Sequence, residues 1–339
     1  MDLPDEQRAA LDEALDRMGL SAPRQRRQMT ALVGGVSSWI VRVESDEPAL
    51  CLKRALPQLR VSAVWYAPVE RNEAEVAWLR LVSAIESHWV PRVLGQDRVS
   101  QSFAMQYLPE ADHPVWKRQL RDGHVDPLTA AAVGDRLGRI HAATSNRADL
   151  AQQFANQDQF YALRLEPYFV ECSTRHPSLA PALTALVERT HRMSLALVHG
   201  DVSPKNILVG PNGPVFLDAE CAVYGDPAFD LAFCLNHLLL KSVWRPQHRD
   251  ELFRSFTRLT EAYVQHLSWE PLEQFYGRVA ELLAALLLAR VDGKSPVEYI
   301  TDSQEQDRVR GFATSHLAAP SASPLDLLFD WSKDACPMS

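Results

Sequence analysis

The sequence predicts an α+β protein of two lobes, a small β-rich N-lobe followed by a larger, mainly α-helical C-lobe. Three observations carry this reading. Residues 29–53 form short β-rich runs around a glycine pair. Beyond residue 109 apolar side chains recur at helical spacing through one segment after another. A single β-rich island, Ala196–Val223, interrupts those helices. Apolar period distinguishes the two kinds of element, about 2 residues for a half-buried strand and about 3.6 for a helix.

In chain order, Ala9, Leu11, Leu15 and Met18 predict a leading helix within 1–20. Trp39–Val43 alternates as a strand and Ala49–Lys53 reads as its hairpin partner. Helical spacing returns over Val69–Ile85. Strand-like runs follow at Arg92–Leu94 and Ser102–Leu108, and Pro109 then breaks the pattern. Helices are expected over Thr129–Thr144, Gln159–Cys172, Ala180–Met193, Pro227–Leu240, His248–His266 and Pro271–Arg290. The stretch AAPSASP (318–324) reads as a linker before a terminal segment, LDLLFDW, that would dock back on the body. The expected divisions are therefore an N-lobe at 1–108, a C-lobe at 109–317, and a linker and tail at 318–339.

Composition narrows the function classes. With 46% hydrophobic and 23% charged residues the chain has the makings of a packed protein. A net charge of −8 disfavours a nucleic-acid binder, which needs basic surface against phosphates. It permits a cationic substrate, although mild acidity also serves solubility. The five cysteines are odd in number and show no C-x-x-C or Cys/His cluster, so neither a disulfide framework nor a zinc site is expected. The start is acidic and amphipathic, unlike a secretory signal. The most apolar run, Leu282–Leu288, is too short to span a bilayer. The expected compartment is the cytoplasm, with no membrane and no nucleic-acid partner; oligomeric state is left open.

The chemistry lies in His199-Gly-Asp201-Val-Ser-Pro-Lys205-Asn206-Ile-Leu-Val. A carboxylate five residues before an amide, in a loop entering a strand, suits phosphoryl transfer. Asp201 can orient an attacking hydroxyl and take its proton, while the Asn206 oxygen holds magnesium. Asp218 ends a second apolar strand seventeen residues after Asp201, so the hairpin between them would return it to the same loop. There it supplies a second hard oxygen ligand. On the nucleotide side, Gly34-Gly35-Val36-Ser37-Ser38 joins two strand-like runs, and glycines let backbone approach phosphate closely. Lys53 sits among apolar residues on the next strand. Burying it needs a partner, which nucleotide phosphates and a helix glutamate would supply. The glutamate is Glu75 or Glu73, with Glu75 favoured because Leu79 and Val82 would share its face.

These motifs resemble the aminoglycoside phosphotransferase-like family of small-molecule kinases, which share the two-lobed protein-kinase-like fold. HGDVSPKNILV is similar to that family's catalytic loop, and LDAECAVYGDPAFDLAFCLNH to its metal-binding segment and following helix. The resemblance extends over about residues 29–290. It implies ATP and Mg2+ as cofactors, Asp201 as catalytic base, and Asn206 and Asp218 as metal ligands. His199 and Asp230 would support the loop by hydrogen bonds. Gly34, Gly35, Ser37 and Ser38 would meet the nucleotide, with Ser38 where the family carries asparagine. The Gln106 carbonyl and Leu108 amide would read the adenine edge. Similarity to the methylthioribose kinase branch, with its D-x-E segment, makes Glu220 either a second metal ligand or a surface carboxylate. It likewise makes Arg290 either a substrate contact or a helix-capping base. Lys205 either neutralises the transferred group or pairs with a carboxylate.

The implied activity is transfer of the ATP γ-phosphate to a hydroxyl of an aminoglycoside, sugar, thiosugar or amino alcohol. A non-catalytic nucleotide-binding scaffold and a protein kinase are the rivals. The H-G-D loop, D-A-E in place of D-F-G and the lack of an A-P-E-like segment argue against the latter.

Overall fold

The computed structural model describes residues 3–20, 26–32, 37–58 and 68–334. The N-terminal helix α1 (Asp5–Arg17) precedes five strands: β1 (Gln28–Ala31), β2 (Ser38–Glu44), β3 (Leu50–Ala55), β4 (Val93–Asp97) and β5 (Ser102–Gln106). Between β3 and β4 lies α2 (Arg71–Ile85). The strands form one antiparallel sheet in the order β1-β2-β3-β5-β4. This is the expected β-rich N-lobe, with two adjustments. β5 stops at Gln106 rather than Leu108, and β4 continues through Gly95 to Asp97 with an irregularity between Val93 and Gly95.

Strand alternation divides the sheet's side chains between two faces. Val41, Val43, Leu52 and Ala104 pack with Leu11 and Leu15 of α1, so the leading helix covers the outer face. Cys51, Phe103 and Met105, one residue out of phase, join the cluster that includes Val76, Trp78, Leu79 and Val82 of α2. Lys53 is in phase with Cys51 and therefore belongs to the inner face, opposite Phe103 of β5.

The C-lobe holds α3 (Trp116–Arg121), α4 (Pro127–Thr144), α5 (Ala148–Gln153) and α6 (Gln157–Phe160). α6 passes into a π-helical stretch, Tyr161–Val170, and then α7 (Glu171–Arg175). After α8 (Ala180–Arg192) come the short strands β6 (Ala196–Val198), β7 (Ile207–Gly210), β8 (Gly213–Phe216) and β9 (Val223–Gly225). Helices α9 (Pro227–Trp244), α10 (Arg249–Val264), α11 (Leu272–Asp292), α12 (Ser303–Ala318) and α13 (Pro324–Asp334) complete the chain. Short α3 and α5, and α12 with its weakly segregated apolar groups, were not among the expected helices.

α9 is the lobe's central rod. Asp226 caps it, accepting from the Ala228 amide at 3.0 Å, and Pro227 occupies the first turn. Every residue from Pro227 to Val243 is buried. α11 packs beside it through the apolar run 282–289, the pattern of a helix enclosed on most sides. Among the described residues no helix is long and apolar enough to cross a membrane.

The terminal segment does return to the body. Leu327, Leu328 and Trp331 of α13 are buried, and the Trp331 indole N–H donates to Ser242 Oγ of α9 at 3.0 Å. Trp331→Ala removes that bond and opens a cavity beside α9. The expected cost is about 3–5 kcal/mol, read as a lower urea midpoint at unchanged slope. An unchanged midpoint would show that the tail adds nothing to the lobe's stability.

Candidate active site

The antiparallel register of β7 with β8 sets the geometry. Ile207 pairs with Phe216, so Asn206 and Leu217 face each other beyond the ladder, and the Leu217 amide donates to the Asn206 carbonyl at 2.9 Å. Asp218 follows at φ 67°, a left-handed conformation uncommon outside glycine. Such outliers concentrate where a site requires a side chain in one place. Asn206 Nδ2 donates to the Asp201 carbonyl at 3.1 Å, which fixes the amide's orientation with Oδ1 as its acceptor atom.

Asp201 is held from beneath. Asp230, fully buried on α9, accepts from the His199 amide at 2.7 Å and the Gly200 amide at 2.8 Å. His199 Nδ1 accepts from the Asp201 amide at 3.1 Å, so its Nε2 carries the proton and donates to the Leu217 carbonyl at 3.0 Å. One neutral imidazole thereby joins the loop to the residue before Asp218. Burial keeps it neutral by lowering its pKa, against the pull of Asp230 and Asp201. Gly200 has φ 79°, and a Cβ there would lie 2.7 Å from the Cys221 carbonyl oxygen, so no other residue fits this turn.

Around the Asp201 carboxylate stand two cations. Arg164 Nη2 lies 3.0 Å from Oδ2 and Lys205 Nζ 3.2 Å from the same oxygen. Burial pushes the Asp201 pKa up, but Lys205 and Arg164 outweigh it and hold the carboxyl below its usual range. Lys205 thus pairs with a carboxylate. Arg164 also donates from Nε to the Gly200 carbonyl at 2.5 Å and from Nη1 to the Leu163 carbonyl at 2.7 Å. Arg164 lies within the π-helical stretch, which also contains Pro167. Sequence reasoning missed Arg164. A charge between the buried leucines Leu163 and Leu165 was the available signal, as it was for Lys53.

Lys53 Nζ donates to Glu75 Oε2 at 2.6 Å and to Asp218 Oδ1. Glu73 instead lies 3.7 Å from Arg98 at the surface. Burial alone would discharge Lys53, but Asp218 and Glu75 raise its pKa and keep it cationic. Burial raises Glu75 against the pull of Lys53, and the nearby Asp218 charge raises it further, while Lys53 and Lys205 lower Asp218 in spite of its own burial. Glu220 faces Arg71, whose Nε donates to its Oε2 at 3.0 Å. Arg71 also donates from Nη2 to the carbonyls of Ser37 at 2.5 Å and Leu56 at 2.7 Å. This buried arginine, likewise unforeseen, ties the strand-end loops of the N-lobe to the segment after Asp218. Ser37 and Ser38 are buried; Gly34 and Gly35 lie outside the described residues.

The remaining candidates sit at the edges. Gln106 ends β5, its amide donating to the Arg92 carbonyl at 2.9 Å, and partly exposed Leu108 follows before Pro109 turns the chain. Arg290 Nη1 donates to the Tyr168 hydroxyl at 3.1 Å and to the Ser295 carbonyl.

Magnesium fits the donors that converge here. Among the described residues no three His, Cys, Asp or Glu side chains form a closed metal cage. Magnesium in phosphoryl-transfer sites takes one or two carboxylates and completes its shell with water and phosphate oxygens. Asp218, its side chain 27% exposed to the cleft, and the Asn206 oxygen suit that demand.

A model of the phosphotransferase enzyme family matches residues 28–263, spanning both lobes and every residue of the Asp201 loop. The chain belongs to the phosphotransferase enzyme family. Methylthioribose kinase 2 of rice, Oryza sativa subsp. japonica, is 25% identical over 249 residues, 64% of this chain and 57% of that protein. The chain therefore spans little more than half of that relative's length. The Bacillus cereus methylthioribose kinase is 22% identical over 320 residues, 81% of each. The solved complex of amicoumacin kinase hAmiN with AMP-PNP, Ca2+ and Ami superposes with a TM-score of 0.57 at 14% identity, covering 96% of this chain and 99% of that one. The likeness establishes the kinase-like fold that the motifs implied.

Two substitutions separate support from chemistry in this phosphotransferase family member. Asp230→Ala strands two buried backbone donors at about 1–3 kcal/mol each and should abolish soluble, folded protein. Lys53→Met should fold, because Glu75, already raised by burial, can take a proton. Its folded pKa then exceeds the unfolded value of about 4.3, so the variant should lose stability as pH rises above that value. Urea midpoints at several pH values check both. A stable Asp230→Ala, or a Lys53→Met whose stability rises with pH, would refute the assignment.

Proposed function

We propose that the protein is an ATP- and Mg2+-dependent kinase that transfers the γ-phosphoryl group to a hydroxyl of a small molecule. The observation that carries this is the convergence of Asp201, Asn206 and Asp218 on one loop mouth, with Lys53 reaching Asp218 from the opposite lobe. Family membership and relatives named as kinases support the reading.

Each group has a task in this mechanism. Magnesium, held by Asp218 and Asn206, would neutralise charge on the phosphate oxygens. Lys53, oriented by Glu75, would fix the nucleotide phosphates. Asp201 would align the acceptor hydroxyl and accept its proton as the new P–O bond forms. Because Arg164 and Lys205 depress its pKa, Asp201 is a weak base in the ground state. It is suited to a loose transition state in which proton transfer comes late, with alignment as its main service. The backbone of Ser37 and Ser38 would border the nucleotide, as would Gln106 and Leu108 at the adenine edge. A non-catalytic scaffold has no use for a carboxylate held this firmly between two cations.

Mg-ATP at about 100 times its dissociation constant should stabilise the fold by about 2.7 kcal/mol, seen as a raised thermal midpoint. Asp201→Asn keeps the shape and removes basicity. Turnover of a saturating acceptor should fall about 100- to 10,000-fold with little change in ATP affinity. Turnover near that of the parent in a folded Asp201→Asn protein would exclude Asp201 as the base.

A further inference from the structure

α2 opens on a fully buried arginine, Arg71. A cation in the first turn opposes the positive end of the helix dipole, so helix stability does not account for it. Its partners do. Arg71 donates from Nη2 to the Ser37 carbonyl at 2.5 Å and the Leu56 carbonyl at 2.7 Å, and from Nη1 to the Pro68 carbonyl at 2.8 Å. The Ser37 carbonyl also accepts from the Leu56 amide at 2.9 Å, so the guanidinium grips the open end of the β2–β3 pair. Its Nε–H then crosses to Glu220 Oε2 of the C-lobe at 3.0 Å.

Glu220 is anchored on its own side. Gln159 Nε2 of α6 donates to the Glu220 carbonyl at 2.7 Å, and Asn156 Nδ2 to the Ala222 carbonyl at 3.0 Å. The Ala222 amide closes a turn on the Ala219 carbonyl at 3.1 Å. The backbone of 219–222 is thus tied to the C-lobe, and the Glu220 carboxylate reaches across to the N-lobe.

Asp218, two residues earlier, makes a second crossing, to Lys53. The proposed reaction asks different things of the two. Asp218 must turn its oxygens to magnesium and Lys53 its ammonium to the phosphates, so that pair has to part when Mg-ATP enters. Burial follows the same division. The Asp218 side chain is 27% exposed to the cleft, that of Glu220 11% and that of Arg71 0%. Arg71 otherwise holds main-chain carbonyls, and it can keep Glu220 throughout. It also sets the start of α2, which presents Glu75 to Lys53 one turn later.

We propose, resting on the kinase reading, that Arg71 is a positioning residue whose pair with Glu220 keeps the lobes aligned while Lys53 passes from Asp218 to the nucleotide phosphates. Glu220 then serves the arginine and is not a second metal ligand. The Glu220 charge lies close enough to act on Lys53 as well. By engaging that carboxylate, Arg71 keeps it from holding Lys53 back from the phosphates.

Calorimetric titration of the full chain with Mg-AMP-PNP, and separately with adenosine, tests this without an acceptor. Glu220→Gln keeps an oxygen for the arginine and removes the charge that holds it. Affinity for Mg-AMP-PNP should fall about tenfold, while affinity for adenosine, which lacks phosphates, should stay within about twofold. The Mg2+ concentration giving half-maximal AMP-PNP binding should not change. Arg71→Lys keeps the charge but cannot reach three carbonyls and a carboxylate at once, and should weaken Mg-AMP-PNP by about tenfold or more. The double variant should bind no more weakly than Arg71→Lys alone, since both residues act through one contact. If Arg71→Lys fails to fold, the Glu220→Gln titrations decide. Equal weakening of adenosine and Mg-AMP-PNP marks a merely structural role and overturns the proposal. So does a higher Mg2+ requirement in Glu220→Gln, which would place that carboxylate on the metal. Additive losses in the double variant, or unchanged Mg-AMP-PNP affinity in folded Glu220→Gln, overturn it as well. Failure of the parent protein to bind Mg-AMP-PNP overturns the kinase reading beneath it.

Discussion

The Lys53 ammonium is the interaction on which the two lobes depend. It lies 3% exposed on the inner face of the N-terminal sheet, where an unpaired charge would cost several kcal/mol. One partner, Glu75, comes from the helix under that face; the other, Asp218, from a C-lobe hairpin 165 residues away. Neither lobe alone satisfies the lysine. Arg71, buried at the start of α2, repeats the arrangement with Glu220 and the carbonyls of Ser37 and Leu56. The lobes are therefore held in register by two buried cations on N-lobe elements and two carboxylates from one short segment, Asp218–Glu220. Lys53, Glu75 and Asp218, which the proposed reaction needs beside the phosphates, are positioned by that clasp.

On the C-lobe side a different economy operates. Asp230 holds the backbone amides of His199 and Gly200, so main chain sets where Asp201 sits, and Arg164 and Lys205 then hold its carboxylate. The His199 imidazole carries this support across to Leu217, and the β7–β8 register then fixes Asp218 relative to Asn206. Asp201, Asn206 and Asp218 are thus tied together at two neighbouring strand ends. The N-lobe clasp and this unit meet at Asp218, whose left-handed backbone is the local concession both demand.

Legibility in the sequence followed the range of the interactions. The Asp201 loop, Asp218 and their hairpin could be read because spacing along the chain dictates their proximity, and strand alternation placed Lys53 on a buried face. The long helices were legible from periodicity. α3 and α5, at six residues each, are too short to display a period, and the apolar groups of α12 are weakly segregated. Arg164 and Arg71 escaped notice because their partners are set by tertiary packing. Arg164 meets Asp201 from a helix packed against the loop, and Arg71 meets Glu220 across 149 residues. A single charge amid buried leucines marks the cost of burial without naming the partner.

Net charge and site charge also part company here, and the reason is distance. A total of −8 describes the field over the whole surface, which salt screens within about 8–10 Å. A bound acceptor feels groups at contact distance across dry protein, where the interaction is much stronger. At the loop mouth Asp201 is matched in this way by Arg164 and Lys205, and Asp218 by Lys53. The charge that a ligand would meet there is therefore set by these few paired groups, and the total of −8 carries little information about it.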